Sequence, residues 1–171
     1  MLEFCNISHS FALSSGHGEG KKVKALDNVS FTVEKGEFLC LLGPSGCGKS
    51  SLLNMAAGFL TPSDGSVSYK GCEITLPGRE RSVVFQENGL VPWLDIEENI
   101  ALSFQKEKYS RKELAEKVDA VLDTVGLKGF HSSMPHELSG GMKQKAAIAR
   151  SLAMESPLML MDEPFSSLDE Q

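Results

Sequence analysis

The stretch Leu41–Leu53, LLGPSGCGKSSLL, breaks two apolar runs with three glycines, a proline and a single lysine. Gly43 through Ser50 reads G-P-S-G-C-G-K-S and satisfies G-x-x-x-x-G-K-[ST] at every required position. The apolar run before it, EFLCLLG, predicts a strand, and KSSLLNMAAG after it predicts a helix that stops at Gly58. That strand–turn–helix context is the one the pattern demands. Glycine lets the backbone curl so that successive N–H groups face inward, with Gly43, Pro44, Ser45, Gly46, Cys47 and Gly48 forming the curl. The helix start, through Ser50 and Ser51, adds unpaired N–H donors and the positive end of a dipole. Lys49 supplies a point charge to the β- and γ-phosphates, and Ser50 a hydroxyl to Mg²⁺. The plain alternative is a glycine-rich turn with no ligand. The reading is a nucleotide-phosphate site.

Working outward, the first 75 or so residues alternate like short strands, as in VSFTV (Val29–Val33) and GSVSYKG (Gly65–Gly71). SSGHGEG, Ser14–Gly20, is a connecting segment by composition. RSVVFQ, Arg81–Gln86, predicts another strand. Ser110 with Glu113 makes a capping box, after which Leu114, Val118, Val121, Leu122 and Val125 share one helical face and Gly126 closes it. A further helix starts near Ser139. PLMLMDEP then predicts a fully buried strand that exits into two acids, as parallel strands do at a site.

Those acids suit the phosphate loop. Asp162 at the strand end would enter a Mg²⁺ shell, and Glu163 could polarise an attacking water. On their own they could equally cap a solvated strand edge. LSGGMKQ, Leu138–Gln144, places Ser139, Gly140 and Gly141 at a second helix start. One nucleotide needs one phosphate loop, so a second anion-binding start suggests a ligand shared between two copies.

Length and composition set bounds. A chain of 171 residues suits one ordinary domain, and 41% hydrophobic with 23% charged residues is globular composition. A net charge of −6 without a basic run argues against a nucleic-acid surface. Cys5, Cys40, Cys47 and Cys72 are too scattered for a zinc site or a disulfide framework, which leaves reduced thiols. The N-terminus MLEFCNISHS does not read as a secretory signal, and no stretch nears the roughly 20 apolar residues that span a bilayer.

Taken together, GPSGCGKS, LSGGMKQ, PLMLMDEP and SSLD resemble the ATP-binding subunit of an ABC transporter, from about Leu2 to the last residue. VVFQENGLVPWLDIEENI and EPFSSLDEQ look most like the importer subunits of the nitrate/sulfonate/taurine group. The resemblance implies an α/β P-loop NTPase fold. It has a mostly parallel sheet core, a small N-terminal antiparallel β region and a helical subdomain inserted at about residues 88–150, within one partial domain over residues 1–171. It implies two subunits packed head to tail around two ATP molecules. Ser139, Gly140 and Gly141 then cover the partner's γ-phosphate, and Asp169 touches the opposite subunit. Gln86 matches the glutamine that senses Mg²⁺ and water, and would join Ser50 and Asp162 at the metal. Partners would be a second ATP-binding subunit, membrane permease subunits and, indirectly, an external substrate-binding protein, at the cytoplasmic face of the membrane.

Phe11 sits where the adenine-stacking aromatic belongs, with Phe4 and Phe31 as competitors. Trp93 belongs on the resemblance to the surface that meets a membrane subunit, and on composition could equally pack inside. His131 and His136 read as loop residues. The family also carries a histidine on a later strand that contacts the γ-phosphate, and the chain as given stops at Gln171. The expectation is a fragment of a longer product, or one lacking closing strands that binds ATP without turnover. DNA-repair relatives insert a long coiled coil between loop and signature, but here that interval is under about 90 residues. Translation relatives carry two cassettes, and one is present.

Overall fold

The computed structural model describes residues 1–12, 22–104 and 109–165. They form two compact units, one from Met1 to Gly78 and one from Arg79 onward.

In the first unit, strands β1 (Leu2–Ala12), β2 (Lys22–Val33), β3 (Asp64–Tyr69) and β4 (Cys72–Glu73) make an antiparallel sheet in the order β2-β1-β3-β4. Leu2 and Phe4 point to the core, and the alternation then slips by one residue so that Ile7 is the next buried side chain. The slip is a bulge at Asn6, whose φ is 51°. The Ser30 hydroxyl holds it, accepting from the Asn6 N–H at 2.7 Å and donating to Asn6 Oδ1 at 3.1 Å. Helix α1 (Lys49–Ala57) buries Leu52, Met55, Ala56 and Ala57, and ends at Gly58 with φ 83° as expected. A side chain at Gly58 would collide with the Leu76 carbonyl, so the stop also needs glycine for space.

The run Glu37–Gly43 departs from expectation. It makes no strand, and Phe38 and Leu42 are each 88% exposed. An apolar run becomes a parallel strand only beside a partner, and none pairs with it among the described residues.

In the second unit, β5 (Arg81–Val84) pairs in parallel with β6 (Leu158–Met161), with Arg81 opposite Leu158 and Val84 opposite Met161. β6 is half-buried rather than fully buried, because β5 is its one sheet neighbour among the described residues. Helices α2 (Ile96–Ala101), α3 (Arg111–Thr124) and α4 (Gly140–Ala153) enclose a core of Ile96, Ile100, Val118, Leu122, Ala146 and Ala149. Leu114, Val121 and Val125 pack against it partly buried, which matches the predicted face of α3. The end of α3 is a Schellman motif. Gly126 (φ 71°) donates to the Asp123 carbonyl at 3.1 Å, Leu127 to that of Leu122 at 2.8 Å, and Leu127 enters the core.

The capping box at the start of α3 is present. The Glu113 carboxylate accepts from the Ser110 hydroxyl at 2.6 Å and from the Ser110 N–H at 2.8 Å. Those two bonds hold its pKa below the ordinary carboxylate value, the hydroxyl contributing most. A lowered folded-state pKa gives stability that is present above the unfolded value and lost as pH falls through the folded one. Glu113→Gln is therefore expected to melt below the parent at neutral pH. The gap closes as the pH drops below about 4, and thermal melts across that range check it.

Candidate nucleotide site

In the phosphate loop Gly46 and Gly48 adopt φ of 79° and 99°, and together they turn the chain into α1. Gly48 is fixed twice over. A Cβ there would lie 2.7 Å from the Leu26 side chain and 2.9 Å from the Ala25 carbonyl, so the loop is butted against β2. The Lys49 ammonium turns back inside the curl and donates to the carbonyls of Gly43 at 2.8 Å and Pro44 at 2.9 Å. It also lies 3.8 Å from Cys47 Sγ. No side chain caps α1 and no acid stands in its first turn, so the dipole's positive end is left for an anion. Ser50 and Ser51 sit in that first turn.

The second unit brings two of the expected residues together. β5 leads to Gln86 and β6 to Asp162 and Glu163, and the Asp162 N–H continues the ladder to the Val84 carbonyl at 2.9 Å. Gln86 Nε2 donates to Glu163 Oε2 at 2.7 Å. Glu163 has φ of 45°, a left-handed backbone that non-glycine residues rarely adopt. The amide donor is thus turned to the carboxylate, and Oε1 of Gln86 is the atom suited to a cation. The hydroxyl of Ser50, the amide oxygen of Gln86 and the carboxylate of Asp162 are hard oxygen donors, the chemistry Mg²⁺ takes. The described residues hold no cluster of three or more His, Cys, Asp or Glu side chains placed to bind a metal.

Ser139 caps α4, its hydroxyl accepting from the Met142 N–H at 3.3 Å. Ser139 and Gly140 are exposed, Gly141 is half-buried, and buried Leu138 anchors the turn behind them. Asp169 lies outside the described residues.

The aromatic ambiguities resolve differently. Phe4 is core and stacks on Phe31 with ring centroids 4.3 Å apart, whereas Phe11 is 43% exposed at the end of β1. Its ring meets His9 edge-on at 4.7 Å. Trp93 is 75% exposed, so the interior alternative fails. His131 lies in a loop and bonds Asp119, and exposed His136 lies in the turn Pro135–Glu137. Cys5, Cys40, Cys47 and Cys72 are free thiols.

Sequence reasoning missed Asn99 and Arg150. Asn99 is fully buried between Ile96 and Ile100, and its place inside that apolar spacing was the available signal. The Arg150 guanidinium reaches the Asn88 carbonyl at 3.4 Å, and burial pushes its pKa down.

A glycine curl closed on a lysine, with a carboxylate pair at a parallel strand end, defines a phosphate-loop protein. Residues 26–166 match the ABC transporter family, and the chain belongs to it. Among curated relatives it is 47% identical over 151 residues to the taurine import ATP-binding protein TauB of Pelagibacter ubique, covering 88% of this chain and 57% of that protein. It is 45% identical over 170 residues to the nitrate import ATP-binding protein NrtD of Synechocystis, covering 99% and 62%. To the aliphatic sulfonates import ATP-binding protein SsuB of Bacillus subtilis it is 46% identical, covering 88% and 58%. The chain thus spans about three fifths of the length of these relatives.

The solved dimeric structure of MJ0796, a bacterial ABC transporter cassette, superposes with a TM-score of 0.88 at 32% identity, covering 99% of this chain and 76% of that one. A post-hydrolysis state of MJ0796 bound to ADP and Pi gives the same TM-score at 30% identity, covering 99% and 77%.

Proposed function

We propose that this chain is the ATP-binding and ATP-hydrolysing part of an ABC importer for a small anion or zwitterion such as nitrate, a sulfonate or taurine. The observation that carries the reading is the curl of Gly43–Ser51, closed on the Lys49 ammonium at an uncapped helix start. The import functions named for the relatives support the substrate class. In this reading the two units form one ATP-binding domain, with the helical part at about 88–150 inserted in it.

Lys49 and the loop amides hold the β- and γ-phosphates, and Phe11 stacks on the adenine. Ser50, Gln86 and Asp162 would hold Mg²⁺, which when bound would offset charge on the phosphate oxygens. Glu163, oriented by Gln86, accepts the proton of the attacking water. Ser139, Gly140 and Gly141 serve the nucleotide of a second ATP-binding subunit, a pairing supported by the dimeric MJ0796 cassette. ATP binding closes that pair, and hydrolysis reopens it.

Trp93, 75% exposed, meets a permease subunit. An external substrate-binding protein acts only through that permease. The chain sits at the cytoplasmic membrane face as a peripheral subunit. No helix among the described residues is long and apolar enough to cross a membrane.

Single-turnover assays with Mg²⁺–ATP test the reading. Phosphate release supports it, and tight binding without release would reduce the chain to a binding module. Ser139→Arg is expected to leave ATP binding by the single subunit within about twofold, a change of roughly 0.4 kcal/mol, and to abolish ATP-driven dimerisation. Light scattering with and without ATP reads both states, and undiminished dimers remove the role in trans.

A further inference from the structure

We propose that Asn99 is a positioning residue: its buried amide locks Val91–Asp95 onto α2 so that Trp93 is held as a fixed aromatic anchor. The proposal rests on the reading that Trp93 faces a partner. Oδ1 of Asn99 accepts from the Val91 N–H at 2.8 Å. Nδ2 lies within donor distance of three carbonyls, those of Val91 at 3.1 Å, Leu94 at 2.9 Å and Asp95 at 2.9 Å. Its two protons therefore serve three acceptors. One side chain satisfies both backbone groups of Val91, and these contacts bracket Trp93 from either side.

The chemistry of the site selects asparagine. Leucine would take the amide partner from the Val91 N–H and the Leu94 carbonyl, while the Val91 and Asp95 carbonyls would keep only their backbone donors, Leu94 N–H and Asn99 N–H. Aspartate would keep the acceptor but turn a carboxylate toward three carbonyl oxygens. The Asp95–Glu98 capping box, with bonds of 2.8 and 3.1 Å, fastens the far end of the segment to α2. Toward Gln86 the chain turns at Asn88 and Gly89, with φ of 47° and 58°. The Asn88 N–H donates to the Phe85 carbonyl at 3.1 Å, the Gly89 N–H to that of Glu87, and Arg150 reaches the Asn88 carbonyl at 3.4 Å.

An exposed tryptophan on a mobile loop would lose conformational freedom whenever it docked. Asn99 removes that freedom in advance, so a push on Trp93 is passed to α2 and not absorbed in the loop.

Trp93 is the only tryptophan of the chain, so its emission reports the arm without a label. The experiment compares the full chain with Asn99→Ala and Asn99→Asp by time-resolved anisotropy of Trp93 and by backbone amide exchange. In Asn99→Ala the fast, local component of the anisotropy decay is expected to grow. The Val91 amide should exchange at least about tenfold faster, while α3 and α4 keep their protection. In Asn99→Asp the acceptor remains, so Val91 stays protected although Trp93 loosens.

Unchanged Trp93 anisotropy in either variant overturns the proposal. So does loss of protection throughout α3 and α4, which would make Asn99 a prop of the helical core instead. Failure of the docking reading shows elsewhere. If Trp93→Ala binds a permease subunit as the parent does, Trp93 is no anchor, while the clamp itself stands or falls on the anisotropy and exchange.

Discussion

Lys49→Ala is expected to weaken Mg²⁺–ATP binding by more than about tenfold, upward of roughly 1.4 kcal/mol. The ammonium is held among the loop's own carbonyls at 2.8 and 2.9 Å, so its position is set before any ligand arrives. Removing it deletes the charge at the centre of the curl and leaves the Gly43 and Pro44 carbonyls facing an incoming phosphate. Two acceptors against an anion repel, so the variant loses an attraction and gains a repulsion. Isothermal titration of the full chain with Mg²⁺–ATP measures the change. A loss below about tenfold would remove Lys49 from the phosphate site.

Glu163→Gln is expected to cut single-turnover phosphate release by about 10² to 10⁴-fold, with ATP affinity changed by less than about threefold. The substituted amide oxygen can still accept from Gln86 Nε2, whose bond to Glu163 is 2.7 Å, so the geometry is kept while the proton acceptor is lost. Rapid-quench measurement of released phosphate, with parallel binding titrations, separates chemistry from affinity. A variant that hydrolyses at the parent rate assigns the base elsewhere. One that stops binding makes Glu163 part of the nucleotide pocket.

What could be read before the fold was known was local chemistry. The curl at Gly43–Ser50, the Ser110–Glu113 box and the stops at Gly58 and Gly126 each depend on residues within one turn of chain, and each is found where expected. The failures depended on distant neighbours. Glu37–Gly43 has the composition of a buried strand, but a strand is a relation between two segments, and this run finds no pairing partner among the described residues. β6 has the same apolar composition and does find a partner, but β5 is its one sheet neighbour among the described residues, which leaves it half-buried.

The bulge at Asn6 hid the alternation of β1 by moving its third buried residue from an even to an odd position. Asn99 was missed because a polar residue in a short helix suggests a solvated face, while its four partners lie up to eight residues back in a loop. The bond between Gln86 and Glu163 spans 77 residues of chain. The role of Gln86 was assigned by family likeness and that of Glu163 from its place at an acidic strand end beside a phosphate loop, and the parallel register of β5 and β6 supplies the physical cause of their meeting.

The close fit of Gly48 against Ala25 and Leu26 reaches beyond the turn it permits. The same β2 strand pairs Val23 with Phe11, so the proposed base-stacking ring and the phosphate curl are registered on one strand, three residues apart. That short span carries an irregularity of its own, since Leu26 faces His9 while Lys24 faces Ser10, with Ala25 as the extra residue between them. β2 then works as a gauge, with the ring at one mark and the curl at the other. A slip of its register against β1 would misset the gauge while leaving every side chain in the loop intact.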